Sequence, residues 1–331
     1  MMRSKKILSY LAGGNDRELF DRASGATLEN CGNKVIIRGL IEFSNYCCRN
    51  CLYCGLRGDN QGVRRYRMTP REILDRVEFI DKLGIKTVVL QSGDDFFYTR
   101  ECIKGVIEGI KKINPQMAVT LSLGERPRDD YKAFRDSGAD RYLLKHETIN
   151  NALYSSLHPG QSLANRLRIL DYLKKLDYQV GIGNIIGLPG QSLRDFVEEI
   201  IFIRDSEPDM IGISPFIAQK DTPLSRLKQP DINLTLRFYA LARIVSRKAH
   251  IPATTAIGTL DRKEGCRLAI KAGANVLMAN FTPNRYIRDY IIYDDKNSMD
   301  FFSVYDTIVY AGREVSLERG DSLRAKHALA S

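Results

Sequence analysis

Strand-like and helix-like stretches alternate along this chain, and that alternation is the strongest constraint on its fold. Runs rich in Val, Ile and Leu at Val35–Phe43, Thr87–Gln91, Ala118–Leu123, Tyr142–Leu144, Gln179–Ile186, Met210–Ile213, Ala253–Ile257 and Val276–Met278 read as strands. Helical patterns open between them near Thr69, Thr99, Arg128, Ser162, Ser192, Asn233 and Asp261. Thr69-Pro70-Arg71-Glu72 has the form of a capping box with Pro at the first helical position. Gly84 and Gly138 stand where helices should end, and Gly273 opens the last strand. Strand–helix repeats join parallel strands, and eight of them within about 250 residues predict an α/β fold, a (β/α)8 TIM-type barrel. An open doubly wound sheet is the alternative. Residues 1–33, with Leu8, Leu11, Leu19 and Phe20 among charges, are expected to form an N-terminal helical cap. Residues 34–280 would be the barrel and 281–331 a C-terminal helical extension, with no linker or composition shift dividing a single domain.

Composition narrows the class. No apolar run approaches the ~20 residues of a membrane span, and the basic start, Met1 to Leu11, lacks the form of a signal peptide. Seven cysteines, four of them between Cys47 and Cys54, suit metal binding in the cytoplasm and not a disulfide framework. The net charge of +10 raises the question of nucleic acid, but the basic residues are interleaved with acids. Arg64-Arg65-Tyr66-Arg67 is the one dense run, so a solvated surface is the preferred reading and no nucleic-acid partner is expected. Attraction of anionic substrates or of an acidic electron donor is the weaker second reading.

Chemistry concentrates in Cys47-Cys48-Arg49-Asn50-Cys51-Leu52-Tyr53-Cys54, directly after the first strand. Cys47, Cys51 and Cys54 have the spacing C-x3-C-x2-C, one thiolate short of the four that normally hold a [4Fe–4S] cluster. Three ligands leave one iron open, and an open position is where a metal site does chemistry. A structural zinc site would need a fourth ligand. Cys48 adjoins Cys47, and His146, His158, His250 and His327 are all remote in sequence. A Cys48, Cys51, Cys54 frame ranks below the first.

On a barrel, active sites sit at the C-terminal ends of the strands. Polar sets follow several of them: Gln91-Ser92-Gly93-Asp94-Asp95, Ser122 to Glu125, Lys145-His146-Glu147, Arg166, and the tight loop Gly187-Leu188-Pro189-Gly190-Gln191. Thr254, Thr255 and Asn280, at the seventh and eighth strands, are candidate donors to an anionic substrate. Each has a plainer reading. Asp94 is also compatible with an ordinary turn, Lys145–Glu147 with a structural ion pair, and the hydroxyls with locally satisfied barrel-lining groups. His146 reads as structural. No Ser/His/Asp set, H-E-x-x-H motif or paired-carboxylate signature supports a hydrolase.

The cysteine spacing, with Tyr53 before the last cysteine, resembles the signature of the radical S-adenosylmethionine (SAM) superfamily. Further segments, among them Ile41 to Asn45, Tyr66 to Pro70, Leu90 to Gly93, Thr120 to Glu125, Ala139 to Leu144, Gly187 to Gln191, Asp221 to Leu224 and Ile251 to Thr255, extend the resemblance. Together they resemble the HydE-type maturases of [FeFe]-hydrogenase, in the biotin-synthase-like group, over about residues 35–290. The resemblance implies one [4Fe–4S] cluster on Cys47, Cys51 and Cys54, with SAM on the open iron. One electron then cleaves SAM to a 5′-deoxyadenosyl radical. It implies Tyr53 along the adenine, with Ser92, Gly93 and Asp94 near the SAM amino group and Ser122 among the SAM contacts. Glu147 would face the ribose or sulfonium, Arg166 the SAM carboxylate, and the Gly187 loop the adenine side.

The implied substrate is a cysteine-bound iron cyanide–carbonyl unit, with Lys145, Thr254, Thr255 and Asn280 toward it. The implied partners are a flavodoxin- or ferredoxin-type electron donor and other hydrogenase maturases. Three departures stand out. There is no cysteine after Cys266 for a second cluster, Lys145 replaces an Arg, and Cys48 replaces a basic residue. The alternatives are a PylB-like lysine-to-methylornithine mutase, for which Asp221 would hold an ammonium, and a non-catalytic iron–sulfur or zinc scaffold.

Overall fold

The computed structural model describes residues 2–324. Its frame is one eight-stranded sheet. The strands are β1 Lys34–Ser44, β2 Thr87–Ser92, β3 Ala118–Ser122, β4 Arg141–Leu143, β5 Gln179–Ile186, β6 Met210–Pro215, β7 Val276–Asn280 and β8 Glu314–Ser316. The hydrogen-bonded order is β6-β5-β4-β3-β2-β1-β7, with β8 pairing the first residues of β1, and every pair is parallel. Helices occupy the crossovers, as parallel neighbours require. The expected capping box at Thr69 is present, with the Glu72 amide donating to Thr69 Oγ1 and the Thr69 amide to Glu72 Oε2.

The outer face of the sheet is apolar. Ile41, Leu90, Leu121 and Ile213 are buried with Ile80, Ile107 and Phe238 of the surrounding helices in one continuous core. Each such side chain contributes about 1.5–3 kcal/mol through burial.

The sheet curls until its edge strands approach each other. Residues 250–253 run between β6 and β7, making isolated parallel bridges Met210–His250 and Pro252–Val276. The strand expected at Ala253–Ile257 is absent, so the architecture is a curled parallel α/β sheet in which this stretch supplies no barrel strand. Thr255–Leu260 is a helix instead. Thr254 starts it, donating from Oγ1 to the Ile213 carbonyl and from its amide to Tyr239 Oη. These tertiary bonds override the β propensity of Ala253-Thr254-Thr255.

The N-terminal segment, expected as a cap, forms helices Ser4–Leu11 and Asp16–Cys31. They pack on helices Leu193–Ser206 and Ile232–Val245 and thicken the outer layer, with Arg237 paired to Asp16 at 2.7 Å. The C-terminal extension is part helix, Phe301–Tyr310, and part strand, β8; residues 325–331 lie outside the described residues. Residues 319–322 fold under the N-terminal ends of the strands. Thr87 Oγ1 and Arg141 donate to the Arg319 carbonyl, and the Ser322 amide donates to Gln179 Oε1. No helix among the described residues is long and apolar enough to cross a membrane.

Candidate active site

The cysteine loop leaves β1 after Ser44, and arginines tie it down. Arg65 donates to the carbonyls of Asn45, Leu56, Arg57 and Asn60. Arg67 pairs with Asp95 at 2.8 Å and lies over the Tyr46 ring. The basic run expected as a solvated face is thus largely internal scaffolding, and Arg64 alone of its arginines is exposed. Two glycines allow the next loops to close on the cysteines. A Cβ at Gly93 would meet the Tyr46 carbonyl at 2.4 Å, and one at Gly124, φ +68°, would meet Asp94 Oδ1 at 1.6 Å.

Cys47, Cys51 and Cys54 line one cavity, and all are free thiols. Cys47 Sγ accepts the Arg49 and Asp94 amides, both at 3.4 Å. Cys51 Sγ accepts Gln161 Nε2 at 3.3 Å. Burial, reinforced by Asp94, pushes the Cys47 thiol up to about 12. Burial likewise pushes Cys51 up to about 11, and Cys54 further, with Cys51 and Cys47 adding to the effect. Such thiols become thiolates when a cationic centre supplies the missing positive charge. Among the described residues no three His, Cys, Asp or Glu side chains close around a single ion. A lone zinc, with Zn–S near 2.3 Å, needs its sulfurs within roughly 4 Å of one another. A triad of thiols on one cavity, with N–H donors to Cys47 and Cys51, fits the ligand set of an iron–sulfur cluster. Cys48 is exposed and does not line the cavity.

The strand ends supply the remaining walls: Ser92, Gly93 and Asp94 after β2, Ser122 on β3, Lys145 and Glu147 after β4, and Ser214 on β6. Asp94 is not a free carboxylate, since Arg49 Nε lies 2.7 Å from its Oδ2. Lys145 runs through space left by Gly183, where a Cβ would meet its Cγ at 2.8 Å. Its Nζ lies 3.0 Å from Glu147 Oε2 and 3.4 Å from Ser214 Oγ. Burial alone would raise Glu147, but the Lys145 ammonium, with Arg166 adding to it, outweighs burial and holds the carboxyl below its ordinary value.

Glu147 has φ +64°, a left-handed conformation that costs an L-residue about 1–2 kcal/mol. A fully buried carboxylate grips both sides of it. Glu199, on the Leu193–Ser206 helix, meets His146 Nε2 at 2.8 Å and accepts the Ile149 amide. His146, read from the sequence as structural, is thereby part of what aims Glu147.

Arg166 reaches into the same cavity. Its Nη1 donates to the Lys145 carbonyl at 3.1 Å, its Nη2 to Gln161 Oε1 at 2.9 Å, and its Nε stands 2.8 Å from Glu125 Oε1. That last contact and the Lys145–Glu147 contact are ion pairs. Arg166 Nε, Glu125 Oε1 and Glu147 Oε2 remain buried without a hydrogen-bond partner. Such atoms cost stability unless something satisfies them, and ribose hydroxyls, an ammonium and a carboxylate are the right complements. Tyr53 Oη donates to His158 Nε2 at 2.9 Å, while His158 Nδ1 donates to the Tyr154 carbonyl at 2.8 Å. The carbonyl can only accept, which fixes the tautomer, and burial lowers His158 so that the ring stays neutral.

Four expected residues lie outside this cavity: Gly187, Thr254, Thr255 and Asn280. Gly187 packs on Pro230, and Gln191 Oε1 accepts its amide. Thr254 is spent at its helix start, and Thr255 is the first residue of that helix. Asn280 donates to Glu42, which is buried against Lys296. Conversely, Arg49, Gln161, His158, Tyr290 and Tyr293 line the cavity without having been singled out. Charges at Arg38 and Glu42 within the apolar first strand were a legible sign that its inner face is polar. Tyr290 and Tyr293, in an irregular segment beyond β7, carried no such sign.

Comparison with known proteins first gives the class. Residues 41–203 match the Radical SAM superfamily, whose members use a [4Fe–4S] cluster and SAM. The chain is 46% identical to the [FeFe] hydrogenase maturase subunit HydE of Thermotoga maritima, over 88% of this chain and 83% of that protein. It is 25% identical to the 3-methylornithine synthase of Methanosarcina acetivorans, over 86% of this chain and 81% of that one. Its fold superposes on the solved methylornithine synthase PylB with a TM-score of 0.86 at 23% identity, covering 96% and 94% of the two chains. The chain belongs to the HydE family of radical SAM enzymes.

Proposed function

We propose that this single-domain enzyme matures [FeFe]-hydrogenase, acting through one [4Fe–4S] cluster on a cysteine-bound iron cyanide–carbonyl unit. The observation that carries this reading is the charge pattern of the cavity. Besides Cys47, Cys51 and Cys54 it is lined by Lys145 and Ser214, and both of its carboxylates, Asp94 and Glu147, are already paired, with Arg49 and Lys145. A cavity whose carboxylates are both paired favours a substrate without a free ammonium. A mutase acting on lysine needs a carboxylate for a free ammonium, and Asp221, the residue available for that task, is exposed and outside the cavity. A scaffold that only carries a cluster has no use for a further polar cavity beside it.

When bound, the cluster supplies the electron that cleaves SAM to methionine and a 5′-deoxyadenosyl radical. The chain's residues position the reactants. Arg166 takes the SAM carboxylate, Glu147 the ribose or sulfonium side, and Ser92, Gly93, Asp94 and Ser122 line the amino-group side. Tyr53, held by His158, lies along the adenine. Tyr290 and Tyr293 add aromatic wall to the same cavity. Lys145 holds the substrate's carboxylate as a point charge where a bidentate fork is expected in the family. A flavodoxin- or ferredoxin-type donor supplies electrons, other maturases exchange substrate and product, and the setting is the cytoplasm.

The test is 5′-deoxyadenosine release by anaerobically reconstituted, reduced protein with SAM and either the cysteine-ligated iron cyanide–carbonyl complex or lysine. Acceleration by the iron complex alone supports the maturase. Acceleration by lysine alone would replace it with the mutase.

A further inference from the structure

Gln161 stands between the arginine assigned to the SAM carboxylate and one of the cluster cysteines. Its backbone amide donates to the His158 carbonyl at 3.1 Å, which fixes it just after the Asn151–Leu157 helix. Arg166 Nη2 lies 2.9 Å from one end of its side-chain amide, and Cys51 Sγ lies 3.3 Å from the other. A guanidinium can only donate, so the end facing Arg166 is the oxygen. The NH2 group must then face the sulfur, and no alternative flip of the amide satisfies both neighbours.

Gln161 is also singular in kind. Cys47 takes its donors from the backbone amides of Arg49 and Asp94. Among the described residues, the one side chain donating to any of the three sulfurs is Gln161. Arg166 itself is restrained by the Lys145 carbonyl and by Glu125. The result is a continuous line Glu125–Arg166–Gln161–Cys51.

We propose that Gln161 is a positioning residue that raises the reduction potential of the cluster through its N–H···S bond to Cys51 and couples that potential to occupation of Arg166. The proposal rests on the cluster-binding reading above. Donors to ligand sulfurs stabilise the more negative, reduced form of an iron–sulfur cluster, and so raise its potential. Hydrogen bonds in series polarise one another. A ligand carboxylate that engages Arg166 therefore changes how strongly Gln161 donates to Cys51.

The experiment is a potentiometric titration of the reconstituted protein followed by the electron paramagnetic resonance of the reduced cluster, with and without SAM. Wild type is compared with Gln161→Leu and Gln161→Glu. Iron and sulfide content of wild type comes first. Wild type without a cluster would overturn the cluster reading, and this proposal with it.

With the cluster present, the potentials decide. Gln161→Leu removes the donor and should disfavour reduction about tenfold, a shift of about 59 mV for one electron. Gln161→Glu also removes the donor, adds negative charge and keeps the Arg166 contact, so its potential should fall further. The shift caused by SAM should shrink in Gln161→Leu relative to wild type. An unchanged midpoint in Gln161→Leu would overturn the assignment. So would a fall confined to Gln161→Glu, because added charge alone would explain it. An undiminished SAM shift in Gln161→Leu would overturn the coupling.

Discussion

Arg141 and Arg166 are both buried arginines, one beneath the sheet and one at its mouth, and their guanidinium groups are spent differently. Arg141 Nε donates to Gln179 Oε1, Nη1 to Thr87 Oγ1, and Nη2 to the carbonyls of Arg319 and Gly320 and to Asp321. Every nitrogen is consumed by the protein. Arg166 Nε has an ion pair and no hydrogen bond, 2.8 Å from Glu125 Oε1, and Glu147 Oε2 in the same cavity is likewise held only by the Lys145 ammonium at 3.0 Å. The two residues therefore differ in how their guanidinium groups are held: Arg141 entirely by hydrogen bonds, Arg166 partly by an ion pair at the cavity. A fully satisfied buried network rigidifies a fold, whereas an unsatisfied one at a cavity marks where a ligand completes it.

One conservative exchange, made at each end, tests this most severely. Arg166→Lys keeps the charge but loses the fork, so SAM-dependent deoxyadenosine release should fall about 10²-fold at fixed SAM, with a stability loss of about 1–2 kcal/mol from its contacts to the Lys145 carbonyl, Gln161 and Glu125. Arg141→Lys should do the reverse. It orphans several buried acceptors and should cost about 2–4 kcal/mol in urea unfolding, leaving the SAM dependence of the folded enzyme unchanged. Equal stability losses at both ends would erase the distinction.

The sequence made the mouth more legible than the floor. Clustered thiols within eight residues, and polar sets directly after apolar strands, declare themselves at the level of spacing. The floor is built by residues 319–322 reaching strands more than a hundred positions away, and no local pattern encodes that contact. The seventh strand failed for a related reason. Ala253-Thr254-Thr255 has strand composition, but bonds from Thr254 to Ile213 and Tyr239 turn it into a helix start. Gln161 was missed because its role exists only when Arg166 and Cys51 are brought to its two ends.

The strain at Glu147 sharpens the comparison at the next level. Glu199 holds its flanks through His146 and the Ile149 amide without touching the cavity. Glu199→Gln keeps the shape but cannot accept at both ends. The carboxylate of Glu147 should then be aimed less well, with turnover down about tenfold, near 1.4 kcal/mol. The readout that separates positioning from simple damage is a KM for SAM that rises while the unfolding midpoint shifts little. A parallel loss of stability and rate with unchanged KM would make Glu199 merely structural.

The smallest expected effect concerns acid and the floor. Burial would raise Asp140, but Lys111, the Val119 amide and Arg319 outweigh it and leave the carboxyl below its ordinary value of 3.8. Asp321 is depressed likewise, by Arg319 and Arg141 against burial. A depressed carboxyl contributes stability that is fully present above its unfolded pKa and is lost as pH falls through its folded one. The floor should therefore weaken below about pH 4, and Asp140→Asn should remove part of that dependence. At pH 7 the variant should be less stable by about 1 kcal/mol, and the gap should narrow as unfolding is followed down to pH 3. A gap that stays constant with pH would mean that Asp140 acts through shape and not charge, and that the floor is held by hydrogen bonds alone.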